Sequence, residues 1–181
     1  SESVRQLLQA LLLSGDALQT PAVIDADALN ALAKSYGWWE QLTTQAVLTP
    51  HPGEMARLLS RPVTDIQQDR LATATAAAAH WGQVVVLKGA HTVVADPGGK
   101  AAINPFANPA LATAGTGDVL SGIIGALLAQ GLAPYDAALA GVHLHAEAGE
   151  RASAEIGASG LLASDLLSEI PKAAQALRAM A

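Results

Sequence analysis

The sequence predicts an α/β domain whose mainly parallel sheet is flanked by helices on both faces. Three observations carry that prediction. Short apolar runs at 22–24, 46–49 and 84–87 alternate with stretches of helical periodicity, the order that builds parallel sheets. Those runs are continuous rather than alternating, as in strands buried on both sides. Apolar residues make up 51% of the 181 positions and charged residues only 14%, enough for one domain with a large core.

The elements follow in order. Ser1 to Leu13 reads as a helix with Val4, Leu7, Leu8, Leu11 and Leu12 on one face and Ser1 or Ser3 as its cap. Ala22 to Ile24 forms the first strand, and Asp27 to Ser35 the next helix. Ala46 to Thr49 is a strand stopped by Pro50. Gly53 to Leu59 is a short helix. A longer one opens at Thr64 or Asp65 and runs through an alanine-rich stretch to Trp81. Val84 to Leu87 is the clearest buried strand. Thr92–Ala95 and Ala101–Asn104 flank Asp96-Pro97-Gly98-Gly99 as a hairpin. A loop from Pro105 to Gly115 leads to a helix from Gly117 to Gln130. Pro134 opens a helix reaching Glu155. Ser164 caps the last helix, which Pro171 kinks or splits.

Bulk properties exclude several functions. A net charge of −6 argues against nucleic acid as a partner, though backbone dipoles still admit a small anionic ligand. With no cysteine there are no disulfides and no thiolate metal sites, and the cytoplasm is the expected compartment. No apolar run reaches membrane-spanning length.

In open α/β sheets, ligands bind beyond the carboxyl ends of the strands. Four segments fall there. Gly115, Thr116 and Gly117 begin a helix whose free N–H groups and dipole make an anion hole for a phosphoryl group. Asp118 at its rim either takes a proton from a substrate hydroxyl or is an ordinary first-turn acid favoured by the dipole. His51 and Glu54 follow the second strand. The histidine is a candidate for a substrate contact and the glutamate for a Mg²⁺-bound water, against a loop histidine and a helix-supporting acid. Lys88 and Gly89 end the third strand and suit a phosphate and a nucleotide lying on the backbone, with Thr92 a further candidate contact to that ligand, or form a plain β-turn. Asp25, Asp27 and Asn30 cluster at the first strand end, to position Mg²⁺ or phosphate or to cap a helix. His143, His145 and Glu147 read as structural, because His143 and His145 diverge on a helix. Trp38, Trp39 and Trp81 are too scattered in sequence for a stacking platform and read as packing or interface residues.

Taken together, VIDADALNAL (23–32), LTPHPGEMARLL (48–59), VVVLKGAHTVV (84–94) and NPALATAGTGDVLSGIIGALLAQG (108–131) resemble the NAD(P)H-hydrate dehydratase branch of the ribokinase-like superfamily. The pairing of TPHPGE with KGAHT separates that branch from the sugar and vitamin kinases. The resemblance implies a carbon–oxygen lyase that repairs hydrated NADH or NADPH. ADP or ATP, with Mg²⁺, phosphorylates the ring hydroxyl, and phosphate then leaves. It implies that His51 and Asp118 contact the hydrated nucleotide, with Asp118 as base. It further implies that Lys88, Gly89, Ala90, His91, Thr92 and Gly117 form the adenine nucleotide site, with no direct protein ligand to the metal. A homotetramer is the family's usual assembly. Family members also carry earlier strands and a GPGLG phosphate turn, so residues 1–181 are expected to be a single ribokinase-like domain incomplete at its N-terminus, with an open sheet edge. Two alternatives stand beside this reading: a small-alcohol kinase of the same superfamily, and an inactive nucleotide-binding fragment.

Overall fold

The computed structural model describes residues 2–13 and 20–179. The proposed cap Ser1 and the side chains of Ser3 and Val4 lie outside what it describes. A first helix, α1 (Glu2–Leu12), precedes β1 (Ala22–Ile24), α2 (Ala26–Leu32), α3 (Trp38–Gln41), β2 (Ala46–Leu48) and α4 (Pro52–Leu59). Then come α5 (Val63–Gln68), α6 (Arg70–Trp81), β3 (Val84–Leu87), β4 (Val93–Ala95) and β5 (Ala101–Ile103). A 3₁₀ turn at Pro109–Ala112 leads to α7 (Thr116–Ala129), α8 (Pro134–Ile156) and α9 (Asp165–Arg178).

The strands form one mixed sheet in the order β1-β2-β3-β4-β5. β1, β2 and β3 are parallel, as the alternation with helices predicts; β4 and β5 add the antiparallel hairpin. Alternate side chains divide between two cores. Ile24, Leu48, Val85 and Leu87 pack with Leu29, Trp38, Met55, Ile66 and Ala74 on the face covered by α1–α6. Val47, Val84, Val86 and Val94 pack with Leu120, Ile124, Ala138 and Val142 under α7 and α8. Both faces of the sheet are therefore covered. α7 and α8 come very close at Gly141, where an added Cβ would lie 2.6 Å from Ile124 Cγ1.

Three local expectations need correction, and a fourth, the packing role of the tryptophans, is met in a way their spacing hid. The helix expected from 64/65 to 81 is two helices. Asp69 leaves the helical region (φ −145°, ψ 86°) and accepts a hydrogen bond from the Ala72 amide at 2.8 Å, so α6 starts on its own cap. Pro171 does not split α9, which runs on through it. A proline inside a helix deprives only the carbonyl four residues back of its helical partner, so the rest of the ladder continues. On α1 only Leu8 and Leu12 of the described apolar face meet the core, while Leu7 and Leu11 are exposed. The tryptophans, scattered in sequence, converge in space: Trp38 lies 5.2 Å from Trp81 and 5.8 Å from Trp39, ring centre to ring centre. Trp38 and Trp81 are buried, so their role is packing.

Candidate active site

Because β1, β2 and β3 are parallel, their carboxyl ends open on one edge of the sheet, and the α7 N-terminus comes to the same edge. Asp25 follows β1 and is the N-cap residue of α2. Its Oδ1 accepts from the Ala26 amide at 2.8 Å and from Lys88 Nζ at 2.7 Å; its Oδ2 accepts from the Ser121 hydroxyl at 2.8 Å. Burial works to raise the Asp25 pKa. The Lys88 ammonium outweighs it, helped by the Ser121 and Thr49 hydroxyls, and holds the carboxyl below the usual range. The expected capping role of Asp25 is thus met, and the carboxylate also anchors the lysine of the third strand end, a contact the sequence did not announce. An added Cβ at Gly117 would sit 3.5 Å from Lys88 Nζ, which places that ammonium at the start of α7.

Gly115 adopts φ +89°, a conformation that glycine reaches without penalty, and α7 starts directly after it. The Thr116 hydroxyl lies 2.7 and 2.8 Å from the Leu111 and Thr113 carbonyl oxygens and shares one proton between them. Asp118 N and Val119 N bond back to the Gly115 carbonyl, whereas the Gly117 amide has no partner among the described residues. A free N–H at a positive helix end is the feature an anion hole requires.

His51 is the N-cap of α4. Its Nδ1 accepts from the Gly53 amide at 3.0 Å, so the proton of the neutral ring sits on Nε2, which lies 3.4 Å from Glu54 Oε1. Glu54 Oε2 accepts from the His51 amide at 2.8 Å, closing a reciprocal capping box. Glu54 is thus buried and committed to orienting His51.

A cavity of about 630 Å³ opens between these elements. His51, Lys88, Gly89, Ala90, Thr92, Thr116 and Gly117 of the predicted site all line it. Gly115, Asp118, His91, Glu54, Asp25 and Asn30 do not. Asp118 is exposed on the first turn of α7, just outside the cavity to which Thr116 and Gly117 belong. His91 is exposed in the turn, with its amide on the Phe106 carbonyl. Asn30 accepts from Arg57 Nη1 at 2.9 Å, between α2 and α4.

Sequence reasoning missed most of the apolar wall. Phe106, Leu111, Leu120 and Val142 line the cavity, two of them from the stretch read only as a loop. It also gave His145 a purely structural role. That side chain lines the cavity while its Nε2 donates to the Thr116 carbonyl at 2.9 Å. Burial pushes its pKa down to about 4, against the pull of the Thr116 carbonyl and with the Lys88 charge adding to the depression. The ring is neutral at pH 7 and clamps the first residue of α7.

Comparison with known proteins places this geometry. A family model described as NAD(P)H-hydrate dehydratase matches residues 2–172. The bifunctional NAD(P)H-hydrate repair enzyme Nnr of Moorella thermoacetica is 51% identical over 154 residues, covering 85% of this chain and 29% of that protein. The ADP-dependent (S)-NAD(P)H-hydrate dehydratase of Neisseria meningitidis serogroup B is 46% identical over 149 residues, 81% of this chain and 50% of that one. Among solved structures, the ADP/ATP-dependent NAD(P)H-hydrate dehydratase of Bacillus subtilis, co-crystallised with ATP and Mg²⁺, superposes with a TM-score of 0.83 at 37% identity, over 97% of this chain and 60% of that one. A ribokinase-like superfamily protein of Enterococcus faecalis superposes with a TM-score of 0.76 at 29% identity. The chain therefore spans half or less of these two curated relatives' length. With its family match, its relatives and its fold in agreement, the chain belongs to the NAD(P)H-hydrate dehydratase family and has the ribokinase-like α/β fold.

Proposed function

We propose that the protein carrying this chain dehydrates hydrated NADH or NADPH at the expense of an adenine nucleotide, ADP or ATP, and restores the reduced cofactor. One observation carries the reading: the free Gly117 amide, the Lys88 ammonium and His51 meet at one cavity, with the Asp118 carboxylate just outside it. The apolar wall suits an adenine ring, and the α7 N-terminus suits the phosphoryl group in transfer. Asp118 takes the proton of the ring hydroxyl as that oxygen attacks phosphorus and the nucleoside phosphate departs. The lone pair of the ring nitrogen then expels inorganic phosphate. Loss of a proton from the neighbouring ring carbon restores the double bond. Hydroxide is a poor leaving group and phosphate a good one, which is why the nucleotide is needed.

Mg²⁺ belongs to the same reading. Among the described residues no three His, Asp or Glu side chains converge as a metal site, and the Asp25 and Glu54 carboxylates are committed to other donors. The residues present fit an ion brought in on the nucleotide phosphates, with Asp118 at the α7 start kept for the proton transfer. Bound there, the ion would neutralise phosphate charge. A cytoplasmic location and a homotetramer complete the proposal, the latter checked by sedimentation. Among the described residues no helix is long and apolar enough to cross a membrane.

The test is to supply hydrated NADH with ADP or ATP to the full-length protein and to follow the near-ultraviolet absorbance of NADH. Recovery of absorbance that depends on nucleotide is expected. Absence of recovery, with phosphorylation of a hydroxymethyl-pyrimidine or thiazole alcohol instead, would overturn the reading.

A further inference from the structure

Arg70, the first residue of α6, contributes no surface to the cavity. Its guanidinium nevertheless reaches the end of β3. Nη2 donates to the Leu87 carbonyl at 2.9 Å and to the Lys88 carbonyl at 3.1 Å, and Nη1 donates to the Ala90 carbonyl. No carboxylate pairs with it among the described residues, and its Nε is buried without a partner. Half-buried guanidinium groups normally find a carboxylate, because removing the charge from water is expensive. Here three carbonyl oxygens of one turn do that work. The arrangement is also tight: an added Cβ at Gly89, whose φ is +137°, would lie 3.0 Å from Nη2.

The geometry of the peptide bond gives this contact a consequence. No peptide bond of the described chain is cis. In a trans peptide the C=O and the following N–H point in opposite directions. Drawing the Lys88 carbonyl to the guanidinium therefore turns the Gly89 N–H away from Arg70. The Gly89 carbonyl is held by the Thr92 hydroxyl at 2.9 Å, and this directs the Ala90 N–H in the same manner, away from Thr92 Oγ1. Neither amide has a partner among the described residues, and both residues line the cavity. The next amide, His91 N–H, is already taken by the Phe106 carbonyl at 3.0 Å. The turn thus holds its acceptors on fixed donors and leaves two donors unspent.

We propose that Arg70 is a positioning residue for nucleotide recognition: from behind the Lys88–Ala90 turn it fixes the carbonyls, so that the Gly89 and Ala90 amides are presented to an acceptor of the adenine nucleotide. This rests on the reading of the cavity as the nucleotide site. A rotating or ordinary turn would have to order those amides on each binding event, which costs affinity. The contact is specific to a planar fork, since an ammonium cannot serve three carbonyls spread over the turn.

The experiment measures ADP and ATP binding by calorimetry and KM for nucleotide and hydrated NADH, using the full-length protein and its Arg70→Ala and Arg70→Lys variants. Thermal melting of each variant reports whether it is folded. Arg70→Ala is expected to weaken nucleotide binding about tenfold, to raise the nucleotide KM by a similar factor, and to leave the KM for hydrated NADH within about twofold. Arg70→Lys is expected to recover little. Millimolar guanidinium chloride, far below denaturing levels, is expected to restore part of the affinity of Arg70→Ala and to do nothing for the parent protein. Equal changes in both KM values, unchanged nucleotide affinity, or the absence of guanidinium rescue in a folded variant would overturn the assignment of Arg70 alone. If the parent protein binds no adenine nucleotide, the cavity reading falls and this proposal with it.

Discussion

Acidification offers a quantitative test of the contact between α8 and the start of α7. His145 is buried, its Nε2–H is spent on the Thr116 carbonyl, and its pKa in the fold is about 4 against 6.5 in an unfolded chain. Above pH 6.5 the ring is neutral in both states and contributes nothing pH-dependent. Below 6.5 the unfolded chain takes a proton that the folded chain refuses, so stability falls as pH falls, at up to ~1.4 kcal/mol per pH unit. The loss ends near pH 4, where the folded ring also charges. Over the whole window the cost is about 3 kcal/mol. Asp25, whose pKa is lowered, contributes in a different window: its stabilisation is present above 3.8 and is lost as pH falls through its still lower folded value. Urea unfolding of the parent and of His145→Gln, which keeps an N–H donor but cannot titrate, isolates the effect because all other groups cancel in the difference. At about pH 4.5 the parent is expected to have lost roughly 2–3 kcal/mol relative to the variant, compared with their difference at about pH 7.5. Parallel stability curves would show that this histidine is not held neutral by its burial, and would remove the clamp it is said to place on Thr116.

Other substitutions probe the site and its frame. Asp118→Asn is expected to lower turnover of the full-length enzyme by about 100-fold or more while leaving nucleotide binding nearly intact; unchanged turnover takes Asp118 out of the chemistry. His51→Ala loses the α4 cap, about 1 kcal/mol of stability, and is expected to weaken the hydrated substrate more than ADP. His51→Asn keeps capping ability and separates the two roles; full recovery of substrate affinity by Asn would leave His51 only its cap. Gly141→Ala gains about 1 kcal/mol of helix propensity but drives a methyl group to within 2.6 Å of Ile124 Cγ1. Overpacking costs ~1–3 kcal/mol, so a net loss of about 1 kcal/mol is expected in chemical unfolding, and a gain in stability would contradict the close α7–α8 contact.

Much of this was legible because strand ends and helix starts obey local rules. Continuous apolar runs identified β1, β2 and β3, and their parallel topology sends His51 and Lys88 to one edge, where the cavity also brings Gly117 of α7. What could not be read was set by contacts distant in sequence. Lys88 and Asp25 are 63 positions apart, and Ser121 and Asp25 are 96 apart. No periodicity announces such pairs. Helical spacing separates His145 from His143 on α8 but says nothing about the Thr116 carbonyl 29 positions earlier. The Asp69 break failed for a different reason: an aspartate inside a polar stretch suits a helix interior turn and a cap almost equally, and its hydrogen bond to Ala72 N decides.

The acidic chain and the anionic ligands proposed for it raise a conflict that the local charges resolve. Net charge acts over a Debye length, about 8 Å at physiological salt, whereas recognition here depends on contacts of about 3 Å. At that range Lys88 and Asp25 form a nearly neutral pair, with 19% and 14% of their side chains exposed. The lysine is therefore a fixed donor more than a free cation. Beside that fixed ammonium an anion would meet a set of amides: Gly117 at the α7 start, and Gly89 and Ala90 behind which Arg70 sits. Amide donors suit the proposed phosphoryl transfer, because they need little reorganisation as charge moves between phosphate oxygens. A cluster of unpaired lysines would hold every polyphosphate tightly and distinguish poorly between the reacting and the departing group.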